Sequence, residues 1–188
     1  MDNIYAGRAG AVIFVGVAQF FIFLLVATSV YPNYSVHGNF ISDLGVGATA
    51  IIFDPSIVIL GILLIIGGYY IKKAVNDRAL AIMVVLAGIG SSGVGVFNEH
   101  FGLIHALFAL VAFVFANASA ILSARVTTGH MRVFSVVLGV LGFIALALYI
   151  SNTYLSLGVG GMERMIVYPT IAWGMGFSGY LLGRSQAL

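Results

Sequence analysis

Six stretches of about 20 mostly apolar residues follow one another along the chain, and a helix of this length crosses the core of a bilayer. They cover roughly residues 9–30, 48–71, 79–97, 102–124, 133–155 and 164–183. Runs such as 57–66 are apolar on every side, so the alternation typical of a membrane β-barrel is absent. Because lipid cannot hydrogen-bond to exposed backbone, the sequence predicts an all-α integral membrane bundle of six transmembrane helices.

The composition argues against a soluble protein. Hydrophobic residues make up 61% of the 188 residues and charged residues only 7%, against about 25% charged residues in an ordinary soluble domain. The net charge of +2 is too small to indicate a nucleic-acid partner. With no cysteine, thiolate metal sites and cysteine nucleophiles are excluded. We interpret residues 1–188 as a single transmembrane domain of a multi-pass protein of the cell membrane.

The basic residues predict the orientation. Seven of the eight lie at the ends of the chain, in the 2–3 connection or in the 4–5 connection: Arg8, Lys72, Lys73, Arg78, Arg125, Arg132 and Arg184. The other three connections contain only Arg164. Because basic residues stay on the cytoplasmic side of a membrane, both termini are predicted to be cytoplasmic.

The candidate site is a set of polar side chains on the three outer connections. Ionisable groups at membrane depth are costly and usually face the interior of a bundle, where they are paired and functional. We therefore predict that the set converges on one outward-facing cavity. The predicted ligand-binding residues are Asp43, Asp54, Asn98, Glu99, His105, Glu163, Arg164 and Tyr168.

Arg164 is expected to pair with a carboxylate from another connection, Asp43 first and Glu99 second. Such a pair would clamp the long 1–2 connection over the start of the sixth helix. Glu163 is a poorer partner because adjacent helical residues point about 100° apart. In the alternative interpretation, Asp43 and Glu163 merely cap helices 2 and 6.

Small residues four positions apart predict close helix packing, because they let backbones approach where lipid supplies no hydrophobic drive. They lie on the third, fourth and sixth helices, which we expect to form the tight part of the bundle. The members are Gly88 and Ser92, Ser91 and Gly95, Ala112, Ala116 and Ala120, and Gly174 and Ser178. A G-x-G-x-x-G pattern at 88–93 has no meaning for nucleotides inside a membrane helix.

The same polar set contains candidate catalytic residues. As an enzyme, the protein would use His105 or His100 as general base and Asp43 or Glu99 to orient it. Ser42 is a candidate nucleophile, and Arg164 would hold a phosphate or carboxylate.

No metal and no other cofactor is predicted. His100 and His105 are five residues apart, whereas a zinc site on one helix uses a spacing of four. They would join His37 and the nearby acids as ligands only if the long connection folded over them.

Three functions remain open from the residues alone. The first is an outward-facing site that binds or modifies a lipid or small hydrophobic molecule. The second is a transporter or channel, although the inner halves of the helices carry few polar residues. The third is a structural or accessory subunit. The expected partners are membrane lipids and either a second copy of the chain or another membrane protein.

Several short motifs in order resemble the DUF998 family of prokaryotic membrane proteins. They are Ile41-Ser42-Asp43-Leu44-Gly45, Phe53-Asp54, the run from Gly95 to Glu99, and Gly161-Met162-Glu163-Arg164. The resemblance implies six helices and no assigned function, and a distant similarity to the Frag1/DRAM group adds no mechanism. Where the family commonly has Phe-Asn in helix 2, this chain has Phe53-Asp54.

Overall fold

A computed structural model, which describes residues 2–186, contains six long α-helices. They are α1 (Asn3–Val30), α2 (Ala50–Val75), α3 (Arg78–Val96), α4 (Leu103–Ser123), α5 (Gly129–Ile150) and α6 (Gly158–Gln186). Three short 3₁₀ turns, Ser42–Gly45, Gly47–Thr49 and Glu99–Phe101, lie in the connections. No strand occurs within residues 2–186. The predicted all-helical fold with six helices is confirmed.

Helices α1 to α5 are each long and apolar enough to cross a membrane. Helix α6 has 29 residues, but glycine and polar residues interrupt its apolar positions. It is still part of the bundle, because it packs along both α5 and α1. The cytoplasmic placement of the termini stays a prediction. We call the end formed by the 1–2, 3–4 and 5–6 connections the outer end, and the opposite end the inner end.

The six helices form a closed ring in chain order. Each helix packs against the next one, and α6 returns to α1. Along this last contact Gly7 lies beside Ser185 and Gly174 lies beside Val17, so α1 and α6 run antiparallel. The ring has a buried core of large side chains, to which Phe53 and Phe177 contribute.

Several helices begin earlier than the hydropathy pattern predicts. Their first residues depend on a capping side chain or on a glycine with positive φ, which hydropathy does not show. Helix α1 starts at Asn3, earlier than residue 9, because the Asp2 side chain accepts hydrogen bonds from the backbone of Ile4 and Tyr5. Helices α5 and α6 start earlier than the predicted residues 133 and 164. Each begins at a glycine with positive φ, Gly129 at 59° and Gly158 at 72°.

Close helix packing occurs where glycines face a neighbouring backbone. A Cβ atom at Gly88 of α3 would lie 2.6 Å from the carbonyl oxygen of Gly61 in α2. A Cβ atom at Gly90 of α3 would lie 2.4 Å from the backbone nitrogen of Ala112 in α4. The expectation of a tight α3–α4 contact is therefore confirmed.

The prediction that α6 packs tightly with α3 and α4 was wrong. Gly174 of α6 lies against Val17 of α1, because ring closure places α6 between α5 and α1. The small residues of α6 therefore serve the α1–α6 contact, while α2 occupies the other side of α3.

Candidate functional site

The connection between α1 and α2, residues 31–49, lies over the outer end of the bundle and rests on the start of α6. The Gly160 amide donates to the carbonyl oxygen of His37 at 3.2 Å. A side chain at Gly160 would collide with the carbonyl oxygen of Asn39, and one at Gly158 would collide with His37. Glycine at these two positions therefore lets the connection lie directly on the helix.

Arg164 fastens this connection to α6. Its side chain is 5% exposed, and Nη1 donates to the carbonyl oxygens of Gly160 at 2.7 Å, Asn39 at 3.2 Å and Val36 at 3.3 Å. Nη2 donates to the Tyr34 hydroxyl, and the guanidinium lies 5.3 Å from the centre of the Tyr34 ring. Backbone oxygens and one aromatic ring thus surround a buried cation.

The predicted pairing of Arg164 with Asp43 or Glu99 was wrong, although the predicted clamp on the connection is present. The charged residues of a sequence suggest only carboxylates as partners for an arginine, because the positions of backbone oxygens cannot be seen in it. Here the folded connection places two carbonyl oxygens, those of Val36 and Asn39, beside the Gly160 carbonyl of α6. All three accept hydrogen bonds from the guanidinium as a carboxylate would.

Asp43 and Glu99 instead organise the outer connections. Asp43 Oδ2 accepts from the Asn39 side-chain amide at 2.8 Å and from the Phe40 backbone at 3.0 Å. Ser42 Oγ donates to Glu99 Oε1 at 2.8 Å. Burial, together with the adjacent Asp43 carboxyl group, raises the pKa of Glu99. These bonds join the 1–2 and 3–4 connections.

Glu163 points inward from the first turns of α6 and is 6% exposed. Its Oε2 accepts a hydrogen bond from the Ile41 backbone amide. Within residues 2–186, Oε1 has no hydrogen-bond partner, and the residue lines an internal cavity. Neither Glu163 nor Asp43 caps a long helix, so the capping alternative was wrong for both.

His105 also faces this cavity and is 8% exposed. Its Nδ1 lies 2.8 Å from the carbonyl oxygen of Phe97. Because a carbonyl only accepts, Nδ1 carries a hydrogen, and in a neutral imidazole Nε2 is then an acceptor. No side chain or backbone group in the described part of the chain bonds to Nε2.

Besides Asp43, Glu99 and Arg164, four other predicted site residues do not line the cavity, namely Asp54, Asn98, His100 and Tyr168. Asp54 Oδ2 is 3.4 Å from the Asn98 side-chain nitrogen, while Asp54 Oδ1 is buried without a partner. His100 is exposed at the surface, and Tyr168 is 39% exposed on α6 beside Phe21. The structure therefore brings together Ser42, Glu163 and His105, with Glu99 behind Ser42.

The cavity itself has a volume of about 110 Å³ and lies inside the ring. Ser42, Glu163 and His105 line its outer end, and the rest of the lining is mainly apolar. On α4 the lining runs from His105 to Ser119, which is about 20 Å at 1.5 Å per residue. Helix α5 contributes no lining residue.

Trp173 lines the cavity towards its inner end. Its indole N–H donates to Ser123 Oγ at 2.9 Å, and its ring stacks on Phe177 at 5.3 Å. The sequence analysis missed this apolar lining. It assigned Ala112 and Ala116 to helix packing, which is right for Ala112 beside Gly90 but incomplete for both alanines. Both line the cavity, and their small size leaves part of its space open.

Among residues 2–186, no three His, Asp or Glu side chains are placed to hold one metal ion. His105 and Glu163 are the only ionisable side chains in the cavity lining of this part of the chain. Two donors fall short of the three protein ligands of a catalytic zinc site.

Comparison with known proteins gives one match. The model of a family described as "Protein of unknown function (DUF998)" matches residues 14–178. No curated protein and no solved structure matches the chain. The match spans most of the chain and includes all or part of each of the six helices, so the chain belongs to the DUF998 family.

Proposed function

We propose that this membrane protein binds a small apolar molecule with one polar end in the cavity of its helix ring. The observation that carries the proposal is an apolar cavity with two hydrogen-bonding atoms at one end, Glu163 Oε1 and His105 Nε2, that have no partner within residues 2–186. Ligand sites in proteins combine an apolar lining with a few polar groups that fix orientation.

The volume limits the size of the ligand. Apolar cavities of roughly 150 Å³ take up molecules as large as benzene. At about 110 Å³, this cavity suits a short chain or a small ring. A whole phospholipid is too large for it.

The polar end selects the chemistry of the ligand. Glu163 Oε1 accepts hydrogen bonds when the side chain is a carboxylate, and His105 Nε2 accepts them when the imidazole is neutral. They favour a ligand whose polar end donates, such as an alcohol or an amine. An ionised Glu163 side chain would repel an anionic ligand, and Arg164 already donates to the connection above the site.

Two observations argue against a transporter and against an enzyme with a serine nucleophile. A continuous polar path for a transported solute would have to pass Trp173 and its stacked partner Phe177, which are both buried. For a serine nucleophile, Ser42 would have to hydrogen-bond to its base, but its hydroxyl donates to Glu99 and not to His105. Binding requires neither feature.

Thermal unfolding of the purified protein with three six-carbon ligands tests the proposal. We expect 1-hexanol and hexylamine to raise the Tm in a saturable way, because a ligand that binds only the native state stabilises it. Hexanoate at the same concentration, at an alkaline pH where Glu163 is ionised, should leave the Tm unchanged.

Filling the cavity supplies the control. Ala116→Leu should abolish the shift with 1-hexanol, while Ala106→Leu, at an exposed position of the same helix, should preserve it. Equal shifts in both variants would show that the alcohol acts through the detergent or the lipid-facing surface.

A further inference from the structure

We infer that a cleft at the inner end of the bundle binds the phosphate group of an anionic lipid headgroup or of a free phosphate compound. The cleft lies between the α2–α3 connection and the turn that follows α4. Its lining residues are Lys72, Val75, Asn76, Asp77, Arg78, Arg125 and Val126. It is independent of the central cavity and shares no lining residue with it.

Three cationic side chains reach the cleft from two different connections. Lys72 comes from the last turn of α2 and donates to the Asn76 side-chain oxygen, which holds its ammonium group over the end of the helix. Arg78 is the first residue of α3, and Arg125 lies in the turn after α4. Both arginines are exposed.

The one acid in the cleft is already occupied. Asp77 Oδ1 accepts from the Leu80 backbone at 3.0 Å and caps α3. Three positive charges against one negative charge leave the cleft with a net charge of +2. Arginine donors fit phosphate oxygens well, because a planar guanidinium donates two parallel hydrogen bonds.

The shape and place of the cleft suit a headgroup. The cleft is wide and open at the surface. Val75 and Val126 give it an apolar part beside the charges. Because it lies where three apolar helices end, a lipid can place its phosphate there while its chains stay in the bilayer.

The test uses native mass spectrometry of the purified protein with phosphatidylglycerol and phosphatidylcholine, which share one chain composition. We expect phosphatidylglycerol to bind more tightly, and Arg125→Gln to weaken its binding about fivefold, as expected for one lost basic contact. Arg78→Gln should act in the same way. Lys73→Gln is the matched control, because Lys73 is exposed on the same turn of α2 but lies outside the cleft.

A second arm identifies the source of the phosphate. Displacement of phosphatidylglycerol by millimolar inorganic phosphate or glycerol phosphate would assign the cleft to free phosphate compounds, and failure to displace it would assign the cleft to lipid. Equal loss of binding in Lys73→Gln and Arg125→Gln would overturn the inference, because it would indicate a diffuse attraction to all basic residues. So would binding of phosphatidylcholine as tight as that of phosphatidylglycerol.

Discussion

At the scale of the single residue, Arg164 holds the outer connection in place. Replacement by lysine keeps the charge but offers one nitrogen in place of the two that now reach the acceptors on both sides of the group. Hydrogen bonds to charged groups contribute about 1.5–3 kcal/mol each. Loss of one or two of them predicts that Arg164→Lys lowers the free energy of unfolding by about 3 kcal/mol.

The measurement is unfolding in detergent beside Arg8→Lys, which changes an exposed arginine. The control should stay within about 0.5 kcal/mol of the parent protein. A loss in Arg164→Lys no larger than in the control would mean that the carbonyl contacts do not hold the connection.

The raised pKa of Glu99 predicts how the stability of the protein depends on pH. Its pKa in the folded protein is raised, first by burial and then by Asp43, so the folded state binds its proton more tightly than the unfolded state does. The stability from this group is fully present below the ordinary glutamate pKa of about 4.3 and is lost as the pH rises through the higher folded pKa.

A pH series of unfolding measurements on the parent protein and Glu99→Gln checks this sign. Glutamine keeps an oxygen for the Ser42 hydroxyl but binds no proton, so the difference in stability between the two proteins should favour the parent less as the pH rises. A difference that does not vary with pH, or that favours the parent more at higher pH, would contradict the raised pKa.

At residue scale the sequence indicated which polar side chains lie together at the outer end better than it indicated what they contact. Glu163, His105 and Ser42 were all named, because ionisable and polar groups are rare in so apolar a chain. The acceptors of Arg164 are backbone atoms, whose positions depend on how residues 34–40 fold. The number of charged residues and their places in the sequence do not predict the positions of these backbone atoms.

At the scale of the helix, glycine contacts determine how closely α2 and α3 approach. A Cβ atom at Gly88 would lie 2.6 Å from the Gly61 carbonyl oxygen, so the two backbones would have to separate. Gly88→Ala is therefore expected to lower the stability by about 1–3 kcal/mol.

Gly179→Ala on α6 is the matched control, because a Cβ atom there meets nothing within 4 Å. In a helix this change should stabilise the protein by about 0.5–1 kcal/mol, since alanine loses less conformational freedom than glycine. Thermal unfolding of both variants measures the difference. The same sign for both would show that helix propensity, and not contact with α2, decides the effect.

The number and approximate position of the helices could be predicted, because each apolar stretch is long. Their neighbours could not. Small residues on α3 and α6 look alike in sequence, but α3 uses them against α2 and α4, and α6 uses them against α1. Which face meets which helix depends on the closure of the ring.

At the scale of the whole molecule, the distribution of basic residues predicts the orientation. The chain has no cysteine, so single cysteines report accessibility without interference. In sealed vesicles of known orientation, Leu157→Cys should react with an impermeant maleimide from the outer side. Thr128→Cys should react only after the membrane is opened. Labelling of Thr128→Cys from outside intact vesicles would reverse the orientation.

The cavity is the property of the whole molecule that was hardest to predict. Its polar end follows from residues that the sequence marks clearly, but its volume depends on how five helices meet around alanines such as Ala112 and Ala116. Those alanines favour close packing as much as they favour an opening. Only the folded structure, in which these alanines face the centre of the ring, shows that they leave an opening.

Photolabelling with a 1-hexanol analogue that carries a diazirine on its chain tests ligand binding in the cavity most directly. The account predicts saturable labelling of cavity residues such as Glu163 and Ile166, competed by excess 1-hexanol and lost in Ala116→Leu. Helix α5, which lines none of the cavity, should carry only the unsaturable label of a lipid-facing surface. Labelling confined to lipid-facing residues such as Ile144, with no competition by 1-hexanol, would contradict the account.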